Sequence, residues 1–408
     1  MSLERSNRRT GPRPLPLHLA GPMLLWLSSL GALARARSGS LDWSPPLRPA
    51  AEALASELKR SDPDALSRAV GAEALARIQG ALAGIEAYRR HPFKRDVEDP
   101  PVVWSQGTTK LRDFGGEGRP VLMIPSLVNR WHTVDISEKR SFMRRLRARG
   151  FRPLLIDWDA PGEAEKRFDL TDYIAGRANA AFDAARTLVG GRKIDLMGYC
   201  MGGDLALALA LRRQDDLASL SLHATPWDFH AEKPGLASLF FRIRPWMEGV
   251  IAAHGELPLD MLQTFFLAID PALSDRKFRR FATLGVESDA AREFVLLEDW
   301  LNDGTPLAAE VARTCLFEWY GENATALRRW RIDGRIVDPA ELRVPAFVVA
   351  PGADKLVPPP SARALGEAIP GAVVHEPPLG HIGMMVGGGG EKLLVEPLVA
   401  WLQGIAPG

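Results

Sequence analysis

The run Ile194-Asp195-Leu196-Met197-Gly198-Tyr199-Cys200-Met201-Gly202-Gly203 constrains this chain more than any other. A short apolar stretch leads into Gly-x-Cys-x-Gly-Gly, and the helix-forming run Leu205–Leu211 follows at once. Strand, sharp turn and helix in that order form a nucleophile elbow, here with cysteine as the raised side chain. The glycines answer a steric demand. A nucleophile on such a turn holds a strained backbone, and side chains beside it would collide with strand and helix. The helix N-terminus that follows favours a thiolate.

An elbow needs a sheet, and the surrounding pattern supplies one. Val102-Val103-Trp104 and Thr109–Asp113 read as an opening hairpin, and Pro120–Pro125 as a buried strand. A helix over Glu138–Arg149, a strand over Phe151–Trp158 and a helix over Asp172–Val189 precede the elbow strand, and Leu217–Leu222 follows its helix. Short apolar runs bounded by turns and separated by helices predict a mostly parallel sheet with helices on both faces. The alternation stops near Thr225. Residues 229–341 read as a helical cap insertion, after which Val344–Ala350 and Ala372–His375 resume the sheet and Glu391–Gln403 closes it. The expected organisation is a helical N-terminal extension (1–95), a first core part (96–228), the cap (229–341) and a second core part (342–408).

Within the extension, helical spacing over 46–87 is broken by Ser61-Asp62-Pro63-Asp64, which predicts two helices with Pro63 in a first turn. Arg5, Arg8, Arg9 and Arg13 precede an uncharged run, Leu15–Ala34, that ends in Ala32-Leu33-Ala34. Two readings stay open: a secretory-signal-like segment, or a short amphipathic helix over Met23–Ala36 lying on the domain or on an apolar surface. Pro16, His18 and Pro22 interrupt the run and weigh against a membrane span.

Composition excludes other classes. Of 408 residues 46% are hydrophobic and 25% charged, as in a soluble globular protein with a sizeable core. The 51 Lys and Arg against 50 Asp and Glu leave a net charge of +1, so nothing recommends nucleic acid as a partner. The two cysteines, Cys200 and Cys315, are too few for a metal cluster, and a disulfide between them would consume the elbow thiol. Free thiols in a reducing, cytoplasmic setting follow. His132, His223 and His230 have no ligand spacing, so no metal and no cofactor is expected. Cys315 reads as a packing residue, Asp157 and Asp159 as helix caps with a place at the site rim as the alternative, and Gly387–Gly390 as a flexible loop.

The elbow's partners should lie later in the chain, acid first and histidine second, each after a strand. Asp354 follows Val348-Val349-Ala350, and His381 lies in Leu379-Gly380-His381-Ile382-Gly383. In the triad Cys200, Asp354 and His381, the imidazole takes the thiol proton and the acid orients the imidazole. Two main-chain N–H groups should hold the oxyanion. They are expected from Met201, directly after the nucleophile, and from Val128 in the loop Ser126-Leu127-Val128-Asn129. The fold class is therefore α/β, of the α/β-hydrolase type.

Several runs together resemble the polyhydroxyalkanoate synthases of the short-subunit type. They are Ser126–Arg130 with Asp135, Leu155–Trp158, Asp169–Tyr173, Gly198–Gly203, Ala224–Phe229, Trp300–Pro306, Trp319–Asn323, Asp354–Pro359 and Gly380–Gly383. The resemblance covers about Tyr88 to Trp401. It implies a thiol acyltransferase that polymerises 3-hydroxyacyl groups from coenzyme A thioesters, with Cys200 carrying the growing polyester. The implied partners are 3-hydroxyacyl-CoA and the growing chain or a granule surface, and a homodimer and an accessory subunit stay open. Lys355 departs from the family, which usually has histidine after the acid. A cysteine hydrolase of the same fold (a thioesterase, a dienelactone hydrolase or a polymer depolymerase) is the alternative. A catalytically silent granule or scaffold protein is the third reading, and the complete triad argues against it.

Overall fold

The computed structural model describes residues 8–232 and 235–405. They divide into two compact units, one of residues up to 94 with 263–302 and one of 95–262 with 303 onward.

The second unit is built on one eight-stranded sheet. Its strands are β1 (Val102–Gln106), β2 (Thr109–Asp113), β3 (Arg119–Ile124), β4 (Phe151–Asp157), β5 (Ile194–Tyr199), β6 (Leu217–His223), β7 (Ala346–Val349) and β8 (Val373–His375). They lie in the order β1-β2-β4-β3-β5-β6-β7-β8. The pairs β1–β2 and β2–β4 are antiparallel, and the rest of the sheet is parallel. Every residue of β5 is buried, as are the last five of β3 and β4, which is what helices on both faces require. Because β6 and β7 are hydrogen-bonded neighbours, everything between them is an excursion from two adjacent strands. That excursion is not one block. Residues 263–302 join the first unit, while the helix Gly235–His254 packs on a π-helix, Thr314–Gly321, within the second.

In the first unit the helix Pro63–Arg90 packs on the helices Leu15–Ser38 and Leu273–Phe281. Asp62 caps it by accepting the Ala65 N–H at 2.7 Å, with Pro63 in the first turn as the sequence predicts. Gly84 lets Phe278 come close, since a Cβ there would overlap the Phe278 carbonyl. Ile85, Tyr88, Phe278, Phe281, Ala291 and Val295 form the core of this unit. The first helix differs from expectation. It runs unbroken over Leu15–Ser38 instead of starting at Met23, with Pro16 in the first turn and Pro22 buried inside. A first-turn proline costs no intrahelical bond and Pro22 forfeits only one, so neither stops the helix. Among the described residues it is the one helix long and apolar enough to cross a membrane by length and composition.

Two other elements depart from the pattern. The predicted helix over 138–149 shrinks to Phe142–Ala148, because Ser141 caps it and pairs with Asp135 in an isolated bridge. Gly387–Gly390 is a tight turn and not a loose loop. A Cβ on Gly387 would overlap the Gly383 carbonyl, and one on Gly390 the Met384 carbonyl.

Candidate active site

Cys200 stands between the end of β5 and the helix Met201–Arg212, with φ 57° and ψ −133°. That left-handed backbone is costly for a residue with a Cβ, of the order of 1–3 kcal/mol, and it persists only where its surroundings hold it. They do so here. The Cys200 N–H donates to the His223 carbonyl at 2.9 Å, and the Cys200 carbonyl accepts from Gly203 at 2.8 Å. A Cβ on Gly202 would overlap the Ile124 carbonyl, and one on Gly203 would overlap the Thr225 hydroxyl. The turn is thus clamped between β3, β5 and the end of β6.

Asp354 lies in the loop after β7 and is buried. Its two carboxylate oxygens do different work. Oδ1 accepts the main-chain N–H groups of Leu356 (2.8 Å) and Val357 (3.0 Å), while Oδ2 faces His381 Nδ1 at 2.6 Å. His381 begins the short helix after β8, and its other ring edge meets the Cys200 thiol. Burial disfavours the imidazolium, but the Cys200 charge, hydrogen bonds to Asp354 and Cys200, and the Asp354 charge outweigh it and raise His381 to about 10. Tyr199 supports the ring from below. Its hydroxyl donates to the His381 carbonyl at 3.1 Å, and the two rings lie 5.1 Å apart. The three residues expected from their order in the chain are therefore brought together as a relay, acid to imidazole to thiol.

The chain matches the alpha/beta hydrolase fold family over residues 119–388. It is 30% identical over 292 residues to the poly(3-hydroxyalkanoate) polymerase subunit PhaC of Allochromatium vinosum, covering 70% of this chain and 80% of that one. To the protein of the same name from Synechocystis sp. it is 31% identical over 294 residues, covering 70% and 77%. The Thiocystis violacea protein of that name is 28% identical over 292 residues, covering 70% and 80%. The chain belongs to the poly(3-hydroxyalkanoate) polymerase family. As such it is an enzyme of the acyltransferase kind.

The loop after β3 in this polymerase-family chain is pinned by its carbonyls. Val128 O accepts the Thr305 N–H at 3.1 Å, and Leu127 O accepts the Thr305 hydroxyl. The Val128 N–H meets the Ser126 hydroxyl only at 3.4 Å, a weak engagement that leaves it available. Met201 heads the elbow helix, where the first N–H groups have no carbonyl one turn back. A pocket beside the acid loop is lined by Pro226, Phe229, Tyr320, Leu356 and Val357.

Other singled-out residues take structural roles. Asp157 and Asp159 do not cap helices. Asp157 pairs with Arg112 at 2.9 Å, and Asp159, at φ 57°, pairs with Lys110 and Arg130. His132 lies 3.6 Å from Asp303, His223 bonds Ser221, and His230 bonds the Tyr320 carbonyl. Cys200 and Cys315 are both free thiols, and Cys315 is buried. Sequence reasoning missed Tyr199, although its place directly before the nucleophile was the available signal.

Proposed function

We propose that this chain polymerises (R)-3-hydroxyacyl groups from coenzyme A thioesters through a thioester on Cys200. The relay in which both oxygens of Asp354 are committed carries the reading, since it leaves the imidazole one task, exchanging a proton with Cys200. The family of the chain supports the same substrate class.

In the first half-reaction the Cys200 proton moves to His381 Nε2, and Sγ attacks the thioester carbonyl. The oxyanion is held by the N–H groups of Met201 and Val128. Collapse expels the coenzyme A thiolate, which takes the proton from His381. Exchange of one thioester for another is nearly balanced, so the bound acyl group stays activated. In the second half-reaction the hydroxyl of the next 3-hydroxyacyl-CoA gives its proton to His381 and attacks the Cys200 thioester. Collapse forms the ester and expels the Cys200 thiolate, which retakes the proton from His381, and the lengthened acyl-CoA then re-acylates Cys200. Cys315, buried on the π-helix over the elbow, and the half-buried Tyr320 on the same helix help keep water from that thioester.

Purified protein given 3-hydroxybutyryl-CoA should release coenzyme A and form insoluble polyester. Free 3-hydroxybutyrate as the sole product would replace polymerisation with hydrolysis, and absence of coenzyme A release would remove both. Cys200→Ala should abolish release.

A further inference from the structure

Asp204 lies in the first turn of the elbow helix, four residues after Cys200 and on the same face. It is fully buried, and neither carboxyl oxygen has a hydrogen-bond partner among the described residues. Cys200 acts on Asp204, and Asp204 acts in turn on Cys315 and Tyr320 of the π-helix. No cation offsets it among these groups. Burial, then the Cys200 charge, pushes its carboxyl well above the ordinary range. An ionised carboxylate so placed would carry an uncompensated desolvation penalty of several kcal/mol. The group is a neutral acid with an O–H to give.

Among the described residues the Trp319 indole N–H, on the π-helix that carries Cys315 and Tyr320, is buried without a partner, and so is the hydroxyl of Thr225, which packs against Gly203. Three unspent polar groups on the elements that meet at the elbow can all donate. Buried donors in native proteins find a partner, either water or ligand. A guest that satisfies them must bring acceptor oxygens. Tyr320 connects this cluster to the pocket beside the acid loop.

We propose that Asp204 is a specificity residue whose carboxyl O–H donates to an acceptor oxygen of the acyl chain held on Cys200, so that the site favours oxygen-bearing chains over plain aliphatic ones. The inference rests on Cys200 carrying an acyl thioester.

The test is single-turnover acylation of the full chain by 3-hydroxybutyryl-CoA and, separately, by butyryl-CoA, read as intact mass. Wild type should load the hydroxyacyl group faster. In Asp204→Leu the ratio of the two rates should fall about tenfold, the worth of one buried hydrogen bond. Asp204→Asn keeps an N–H donor and should retain most of the preference, which separates donation from packing. Equal loss for both substrates in both variants would make Asp204 structural and overturn the proposal. So would a wild type that loads both substrates equally, with the thioester reading left standing. A wild type that loads neither would remove that reading and this inference with it.

Discussion

Asp354→Asn is the sharpest probe of the relay, because the structure dictates how the amide must sit. Two main-chain N–H groups, from Leu356 and Val357, converge on Oδ1 at 2.8 and 3.0 Å. Only the amide oxygen can satisfy them, so the amide NH2 of the variant is forced to face His381 Nδ1. Nδ1 must then accept, and the ring proton moves to Nε2. That nitrogen now presents N–H to Cys200 where a lone pair is needed. Flipping the amide restores the tautomer but strands two buried donors at about 1–3 kcal/mol each. The penalty of about 2–6 kcal/mol corresponds to a loss of roughly 30-fold to 10⁴-fold in the acylation rate. The same substitution in serine triads costs about 10⁴ for the same reason. Two assays report on it: single-turnover acylation by 3-hydroxybutyryl-CoA, and the pH profile of Cys200 alkylation by iodoacetamide. An Asn variant within about threefold of wild type in acylation, or with an unaltered alkylation profile, would refute the tautomer argument.

Three further outcomes are expected. His381 is raised from 6.5 to about 10, so its contribution to stability is complete below about 6.5 and is lost as pH rises through about 10. The urea midpoint of wild type should therefore fall between pH 8 and pH 10.5, and His381→Gln should lose that part of the fall. Gly202→Ala would drive a Cβ into the Ile124 carbonyl and the Pro125 backbone, so a loss of about 3 kcal/mol or insoluble protein is expected. A melting temperature equal to wild type would contradict that contact. Asp135 is fully buried and holds Arg95 and Arg144 at 2.9 and 2.8 Å, so Asp135→Ala should cost about 3–5 kcal/mol by chemical denaturation.

What was legible in the sequence follows from how far each signal travels along the chain. Cys200, Asp354 and His381 could be found because the chemistry requires each at the end of a strand, and strands announce themselves as short apolar runs. Tertiary demands on single residues left no such trace. Pro22 sits inside a helix that its presence argues against. Ser141, capping Phe142–Ala148, cuts a predicted twelve-residue helix to seven. Gly387–Gly390 looks like slack, yet two of its glycines are required by carbonyls from the preceding helix.

Asp204 is the limiting case. An aspartate in the first turn of a helix normally complements the positive end of the helix dipole as a carboxylate. The same position, fully buried beside Cys200 and with no hydrogen-bond partner among the described residues, calls for the neutral acid instead. One form attracts donors and repels a thiolate; the other donates and tolerates it. The two readings predict opposite behaviour at the nucleophile, and the spacing Cys200-x-x-x-Asp204 is identical in both. Burial decides between them, and burial belongs to the folded chain as a whole, which the local spacing does not carry. The polar residues that tune a buried site are therefore the ones a local pattern assigns most confidently to the wrong protonation state.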